Sequence, residues 1–454
     1  MVVTFTGCND FNAREIRQEQ VESYQNELIR QSQEVLSEDK HLSLEECISI
    51  ALENNLDIRI ALVQRQIAEL GRQVSFSQFL PQVNLNYNYN RWDPQPGLAT
   101  ATGPQPMHDE RVRELTFNVQ MSVFNPSTWF MYSMHQRGQE IAEIAADYTK
   151  QMIILQVTTY YYYCLGLEQI ENALQTSVKA SEALAWQLDN LNNEGMIMPW
   201  QSEQANINID SQKLQLKRVI NIIEQTKGRL LIAMGLSPMN TIKLYPASSA
   251  EAPQGQLEDF IAEALLNHPK LRISDRQVAI EKEKVKIALA GFLPSLAGYA
   301  NRVNTSDSFQ YYSSYWLMGL SGVMTIFNGF ANIHEYDAAK ENVKIAGLER
   351  EQETLALVLE VFNAYQNLQL VNDSVALAER NYQVTDAHYN QVFEQWTEGM
   401  VNASDLLSVA ADKEMANMVR INSQFQAQVS IATLLNAIGQ TEININEAKD
   451  DSQS

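Results

Sequence analysis

The sequence predicts a mainly α-helical protein that carries four β-strands of membrane type, built as two copies of one structural unit. Three observations predict this. The chain repeats itself, two short segments alternate apolar and polar residues cleanly, and each copy ends in helical patterns far longer than a globular helix.

The repeat comes first, because it fixes the rest. Sliding the chain by 213 positions lays "LEECISIALENNLDIRIALVQRQIAELGRQVSFSQFLP" (44–81) over "LEDFIAEALLNHPKLRISDRQVAIEKEKVKIALAGFLP" (257–294) without a gap. About a third of the columns are identical, among them Ala51/Ala264, Asn54/Asn267, Arg59/Arg272 and the closing Phe-Leu-Pro. Further along, Phe124-Asn125 matches Phe327-Asn328, Glu194-Gly195-Met196 matches Glu398-Gly399-Met400, and Gly235 matches Gly439.

Each copy reads in the same order. A short helix ends near Asn54 or Asn267, and a second runs to about Gln78 or Gly291, stopped by Pro81 or Pro294, since proline cannot continue a helix. Two strands follow, separated by the Pro-, Gly- and Thr-rich loop "RWDPQPGLATATGPQPMHDERV" in the first copy and "NTSDSFQYYSS" in the second. Asn125 and Asn328 are then expected as N-caps of the next helix. That helix runs to Glu194 or Glu398, breaks at Gly195 or Gly399, and resumes to about Gly235 or Gly439. Roughly 65 residues make about 100 Å of helix, and its apolar stripe needs cover along that length. Val375, Tyr382, Tyr389 and Trp396 recur every seven residues with Ala378, Thr385 and Val392 between them, a coiled-coil seam that reads as packing. Leu355, Val358, Phe362 and Tyr365 keep the spacing but stand out of register, which predicts a slip in the coil.

The strands alternate. In 81–90 Val83, Leu85, Tyr87 and Tyr89 share one face, and Asn84, Asn86, Asn88 and Asn90 the other. In 115–123 Leu115, Phe117, Val119, Met121 and Val123 oppose Thr116, Asn118, Gln120 and Ser122. The fourth segment, 316–326, groups Trp316, Met318, Leu320, Met324 and Ile326, while the third, from Ser295, is weak because Tyr299 falls out of phase with Leu296. Such lengths and alternation suit a bilayer-spanning barrel. Four strands cannot close alone, and an open edge in lipid leaves backbone groups unsatisfied. The barrel must be shared between copies; three copies supply twelve strands, with Leu85, Tyr87, Tyr89, Phe117, Val119 and Met121 facing lipid and Asn84, Asn86, Asn88, Asn90, Asn118 and Gln120 lining the lumen.

The bulk composition narrows the partners. A net charge of −22 argues against nucleic acid, which needs a concentrated basic patch. No run of eighteen apolar residues predicts a transmembrane helix. Cys8, Cys47 and Cys164 are widely spaced without a CxxC, so neither a disulfide framework nor a zinc site is indicated. Six histidines form no HExxH, and no GxGxxG or GxxxxGK occurs; His334-Glu335 reads as solvated surface. No enzyme, cofactor or metal is expected. Phe5-Thr6-Gly7-Cys8 resembles the lipobox of bacterial lipoproteins, which implies lipidation at Cys8. The apolar stretch before it is too short for a complete signal peptide, so either the chain begins inside a longer precursor or Cys8 is an ordinary residue.

"LSLEECISIALENNLDIR", "LEDFIAEALLNHPKLR", the two Phe-Leu-Pro segments and the two "EGM" breaks together resemble the TolC-like outer-membrane efflux factors of Gram-negative bacteria, over roughly 42–440. The resemblance implies a homotrimer with a twelve-stranded β-barrel in the outer membrane, continued by an α-helical barrel in the periplasm. It also implies the role of a passive duct of a tripartite efflux pump or type I secretion system, working with a periplasmic adaptor and an inner-membrane transporter. The expected parts are an N-terminal segment (1–41), a first repeat (42–235), a linker or equatorial segment (236–256), a second repeat (257–440) and a polar tail (441–454).

The resemblance makes Glu194, Gly195, Met196, Glu398, Gly399 and Met400 the periplasmic tips that meet the adaptor. The family's tip motif is of the valine- or alanine-glycine-leucine type, so the glycines match and the flanking acids depart. Glycine also suits the left-handed turn of a tight helical hairpin, which accounts for both by itself. Asp405 falls on an acidic ring position at the family's entrance gate, where the next position, one turn on, is Ser408. The plainer reading of Asp405 is a carboxylate favoured in the first turn of a helix. The rival from another class, a soluble coiled-coil scaffold, explains the long helices and the acidity but not the amphipathic strands.

Overall fold

A computed structural model describes residues 12–34, 41–246 and 252–440; Cys8 and the tail after 440 lie outside them. The elements run α1 (Ala13–Glu34), β1 (His41–Leu42), α2 (Leu44–Asn54), α3 (Leu56–Ser77), β2 (Gln82–Arg91), β3 (Gly97–Thr100), β4 (Gly103–Pro106) and β5 (Arg111–Phe124). They continue with α4 (Pro126–Asn193), α5 (Pro199–Ala233), β6 (Lys243–Leu244), α6 (Leu257–Asn267), α7 (Pro269–Ala290), β7 (Ser295–Thr305), β8 (Ser314–Val323), α8 (Ala331–Thr397) and α9 (Ala403–Ala437). Two units form: 1–60, 147–268 and 357–454 make the first, and 61–146 with 269–356 the second.

In the first unit the start of the repeat is set by local chemistry. Ser43 Oγ accepts from the Glu46 amide and the Glu46 carboxylate accepts from the Ser43 amide, a reciprocal cap on α2. Buried Asn55 ends α2 and starts α3: its Oδ1 accepts from the amides of Asp57 and Ile58, while its Nδ2 donates to the Ala233 carbonyl at 2.8 Å. One amide thereby satisfies orphan groups of two helix ends. Gly235, at φ +75°, closes α5 against this corner, and a Cβ there would lie 2.3 Å from the Asn54 carbonyl oxygen. Around it Cys47, Ile48, Val157, Tyr161, Leu230, Leu231 and Met234 form a fully buried cluster. The Tyr161 hydroxyl reaches the carbonyls of Leu42 and Tyr245, so α4 is tied to the parallel β1–β6 pair.

Helices α4 and α8 are 68 and 67 residues long, about 100 Å each. The buried seam of α8 corrects the expected slip. Leu357, Val361, Ala364, Leu368, Val371 and Ala378 are buried, whereas Leu355 and Phe362 are exposed. Steps of four and three lead from Leu357 through Val375, Tyr382 and Tyr389 to Trp396 without interruption. The upstream series Leu355, Val358, Phe362 and Tyr365 is not the covered stripe: α8 carries two apolar stripes, and periodicity alone does not tell which one is covered.

In the second unit the sheet order is β2-β5-β7-β8, antiparallel throughout. The second strand is longer than expected and the fourth stops at Val323, leaving Met324 and Ile326 outside it. The first inter-strand loop holds a hairpin, β3–β4, which its prolines and glycines concealed. Two other elements, α1 and the β1–β6 pair, fall in stretches expected to be equatorial or loose. Neither expected N-cap asparagine caps in the usual way. Asn125 Oδ1 accepts from the Ser127 hydroxyl. Asn328 Oδ1 accepts from the Asn332 amide across Gly329 and Phe330, both in the left-handed region at φ +70° and +68°.

Gly235→Ala should lower the free energy of unfolding, read from the loss of helical circular dichroism in denaturant, by roughly 2 kcal/mol or more, since strained backbone and overpacking add. Gly195→Ala has the same sign of φ but open space around the added Cβ, and should cost only about 1 kcal/mol.

Candidate functional site

The cross-strand register sorts the sheet into two chemically opposite faces. Val83 pairs with Val119, Leu85 with Phe117 and Tyr87 with Leu115; Asn84 pairs with Asn118 and Gln82 with Gln120. On β7, Asn301 continues the amide row from Asn118, while Ala300 continues the apolar row from Val119. This explains the weak third strand. Tyr299 belongs to the polar face, opposite Gln120, and its ring covers Gly319 of β8, where a Cβ would meet the phenol oxygen at 2.7 Å. The glycine is the space the tyrosine needs, a relation between strands that one strand's periodicity cannot reveal. Leu317 and Val323 stand on this same face and break its polarity.

Both faces of β2 are exposed along its whole length, and its side chains Val83, Leu85, Tyr87 and Tyr89 meet no cover among the described residues. On β8 Trp316, Met318 and Leu320 are equally bare. The outer edges of β2 and β8 pair with no strand among the described residues. The polar face forms a groove of about 800 Å³ lined by Gln82, Asn84, Asn118, Gln120, Tyr299 and Asn301 among others. At one end of the strands aromatic pairs gather, Phe124 with Trp129 and Phe327 with Phe330.

At the other end the two loops are latched together. His108 Nδ1 lies 2.7 Å from the buried carboxylate of Asp307, which also accepts from the amides of Asp109 and Phe309. Asp109 in turn accepts from the amide and hydroxyl of Ser308, and Trp92 stacks on His108. Burial pushes the Asp307 carboxyl up, but the hydrogen bonds from His108 and the two amides outweigh it and hold the group below its usual range.

The tips are built by Schellman turns. The Gly195 amide donates to Asn192 and the Met196 amide to Leu191; the Gly399 amide donates to Trp396 and that of Met400 to Gln395. Both glycines sit at φ +73°. Schellman turns commonly bury the residue after the glycine, yet Met196 and Met400 are each 70% exposed, and Trp186 and Trp200 on the helices flanking the first tip are exposed too, at 68% and 59%. Glu194 and Glu398 are solvated. Asn402 caps α9 by accepting from the Asp405 amide at 3.1 Å, so Asp405 stands exposed in the first turn. Asp412, seven residues on, is exposed as well.

Above the tips the aromatic seam of α8 is fastened to α9 by charge. Lys413 lies over the Tyr389 ring at 4.6 Å and pairs with Asp386; Arg420 lies over Tyr382 at 4.7 Å and pairs with Glu379. The two sets are one heptad apart and strengthen what the sequence presented as plain packing. Cys47 and Cys164 are buried, and burial pushes both thiols up to about 12, so neither is a nucleophile. Among the described residues no group of histidine, cysteine or carboxylate side chains is placed to hold a metal, and no helix is long and apolar enough to cross a membrane.

An antiparallel sheet with one apolar face bare, one amide face and no cover is the strand chemistry of an outer-membrane protein. The sequence profile of the outer membrane efflux protein family matches residues 47–236 and 260–440, and the chain belongs to that family. It is therefore an outer-membrane efflux protein. Similar solved structures share the fold at low identity. The outer membrane channel CmeC of Campylobacter jejuni superposes with a TM-score of 0.77 at 18% identity, covering 90% of this chain and 89% of its own. The outer membrane protein VceC of Vibrio cholerae gives 0.75 at 14%, covering 87% and 96%. The outer membrane channel MtrE of Neisseria gonorrhoeae gives 0.72 at 17%, covering 87% and 88%. Among curated proteins none matches the chain.

The Asp307 carboxyl binds fewer protons folded than unfolded, so its stabilisation is present at neutral pH and is lost as pH falls below the usual carboxylate range, about 4. Pepsin should cut within 306–313 faster as pH drops through that window. At neutral pH, Asp307→Asn should likewise raise the rate of proteolysis in these loops.

Proposed function

We propose that the chain is the exit duct of a tripartite efflux pump or type I secretion system. It conducts passively what a periplasmic adaptor and an energised inner-membrane transporter hand to it. The observation that carries this reading is the sheet: two opposite faces and two unpaired edges, in a member of an outer-membrane channel family. Lipid offers no hydrogen bonds to a strand edge, so β2 and β8 need strands from other copies. Three copies give twelve strands in a closed ring, with tyrosine and leucine side chains toward lipid and the Asn84–Asn118–Asn301 row toward water.

Two further features support a homotrimer. The second stripe of α8 is bare in the single chain: Leu370, Leu377 and Val384 are 65%, 62% and 68% exposed at heptad spacing. Ile60, Val63, Ile67, Leu70 and Val74 make a similar bare stripe along α3. Heptad stripes call for a partner helix, and neighbouring copies would bring the helices of an α-barrel side by side.

In this reading the exposed methionines and glycines of the two tips meet the adaptor, and Asp405 rings the entrance. Repeated about a threefold axis, its carboxylate concentrates negative potential and favours cations. The repeats 42–235 and 257–440 are the working halves, and acylation of Cys8 would tether the N-terminal segment to the membrane.

Detergent-extracted protein should open discrete conductance steps in planar bilayers, and Asp405→Ala should raise the relative permeability to anions about two- to fivefold. A protein that stays monomeric in detergent-free buffer and opens no channel would overturn the reading. Leu370→Asp with Leu377→Asp should abolish the cross-linked trimer, because a charge in a heptad seam costs several kcal/mol, roughly, without a partner.

A further inference from the structure

The apolar face of the sheet changes character abruptly at its loop end. Arg91 of β2 pairs in register with Arg111 of β5, and Tyr89 pairs with Arg113. Because paired residues point to the same side, these three arginines stand on the face of Tyr87, Leu115 and Phe117, one above the other at the end of the apolar band. Farther down the same face, Arg302 of β7 is paired with Trp316 and holds its guanidinium over the indole at 5.5 Å.

The cluster runs against the chain as a whole, which has 33 basic and 55 acidic residues. The nearby carboxylates do not neutralise it. Glu110 sits between Arg91 and Arg111 at 3.4 and 3.8 Å, with both guanidinium side chains more than half exposed. Asp109 is held by Ser308 and Asp307 by His108, and Glu114 stands on the opposite face, level with Asn88. Among the described residues Arg113 is in no ion pair and is exposed. Arginine presents a planar fork that matches phosphate oxygens in pairs.

We infer that Arg91, Arg111 and Arg113 form a binding site for the phosphate groups of an anionic glycolipid of the outer leaflet. The loop end of the sheet lies away from the strand ends that join α3 and α4, and in a protein whose helices extend into the periplasm it is the outward end. Acyl chains meet Tyr87, Leu115 and Phe117, and phosphates at headgroup height meet the guanidinium row. Glu110 keeps Arg91 and Arg111 apart and oriented. The occupant is a lipid and not free phosphate, because the arginines continue an apolar face instead of lining a closed pocket. The inference rests on the apolar face meeting lipid.

The test uses the full-length protein in detergent, incubated with mixed vesicles of phosphatidylcholine and a bis-phosphorylated glucosamine-based glycolipid, or the same glycolipid stripped of phosphate. Glycolipid retained on the washed protein is then quantified. The wild type should retain the phosphorylated form in clear preference. R91Q/R111Q/R113Q should weaken that retention by about fivefold per charge removed, while R91K/R111K/R113K, which keeps the charges but loses the planar forks, falls between the two and millimolar inorganic phosphate displaces little. Equal retention of both glycolipids by the wild type, undiminished retention by the glutamine variant, or full displacement by inorganic phosphate would each overturn the site. If the glutamine variant does not assemble, the comparison of the two glycolipids on the wild type decides alone. A wild type that enters no vesicle at all refutes the channel reading instead, so the two failures are distinguishable.

Discussion

The backbone hydrogen bond at a sheet edge is the constraint on which the rest of this protein depends. Among the described residues β5 and β7 are paired on both sides, while β2 and β8 each leave a whole edge open. In water such an edge is a hazard; in hydrocarbon, where no solvent replaces the missing partner, it is untenable. The side chains agree with the backbone. A strand exposed on both faces over ten residues has no place in a soluble fold, yet suits a wall between lipid and water. On the reading proposed above, the same requirement calls for strands from further copies and gives the bare stripes of α3 and α8 something to meet.

Helix ends are the second organising element, and their chemistry is reused. Four Schellman turns, at Gly195, Gly235, Gly399 and Gly439, stop the four hairpin helices with the same pair of hydrogen bonds. What differs is the surroundings. Gly235 is pressed against the Asn54–Asn55 corner, where no side chain fits, whereas Gly195 and Gly399 turn in open space. A buried turn can only be architectural; an open one with exposed methionine beside it is free to serve as a contact. Identical local sequence logic thus yields two kinds of turn, separated only by what packs on them.

Charge is distributed with similar economy. The surplus of carboxylates leaves the helices solvated, and some of the 33 basic side chains are placed where they do specific work. Lys413 and Arg420 fasten α9 to the tyrosines of α8, and Arg91, Arg111 and Arg113 crown the apolar face of the sheet. Neither arrangement follows from net charge, which points only to a self-repelling acidic surface.

Much of this architecture was legible in the sequence because it rests on periodicities and breaks that are local. The duplication, the long helices, the alternation of Asn84, Asn86 and Asn88 with Leu85, Tyr87 and Tyr89, and the glycines at the tips are all written in neighbouring residues. Tertiary structure decided what depends on residues far apart. It selected Leu357–Val361–Ala364 over Leu355–Val358–Phe362 as the covered seam, since both stripes share the helical spacing and differ in which one finds a partner. It placed Tyr299 over Gly319, latched His108 to Asp307, and brought Arg91 beside Arg111. In each case the deciding quantity is a distance across the fold. A one-dimensional pattern fixes which way a side chain faces along its own element, but not what stands opposite it.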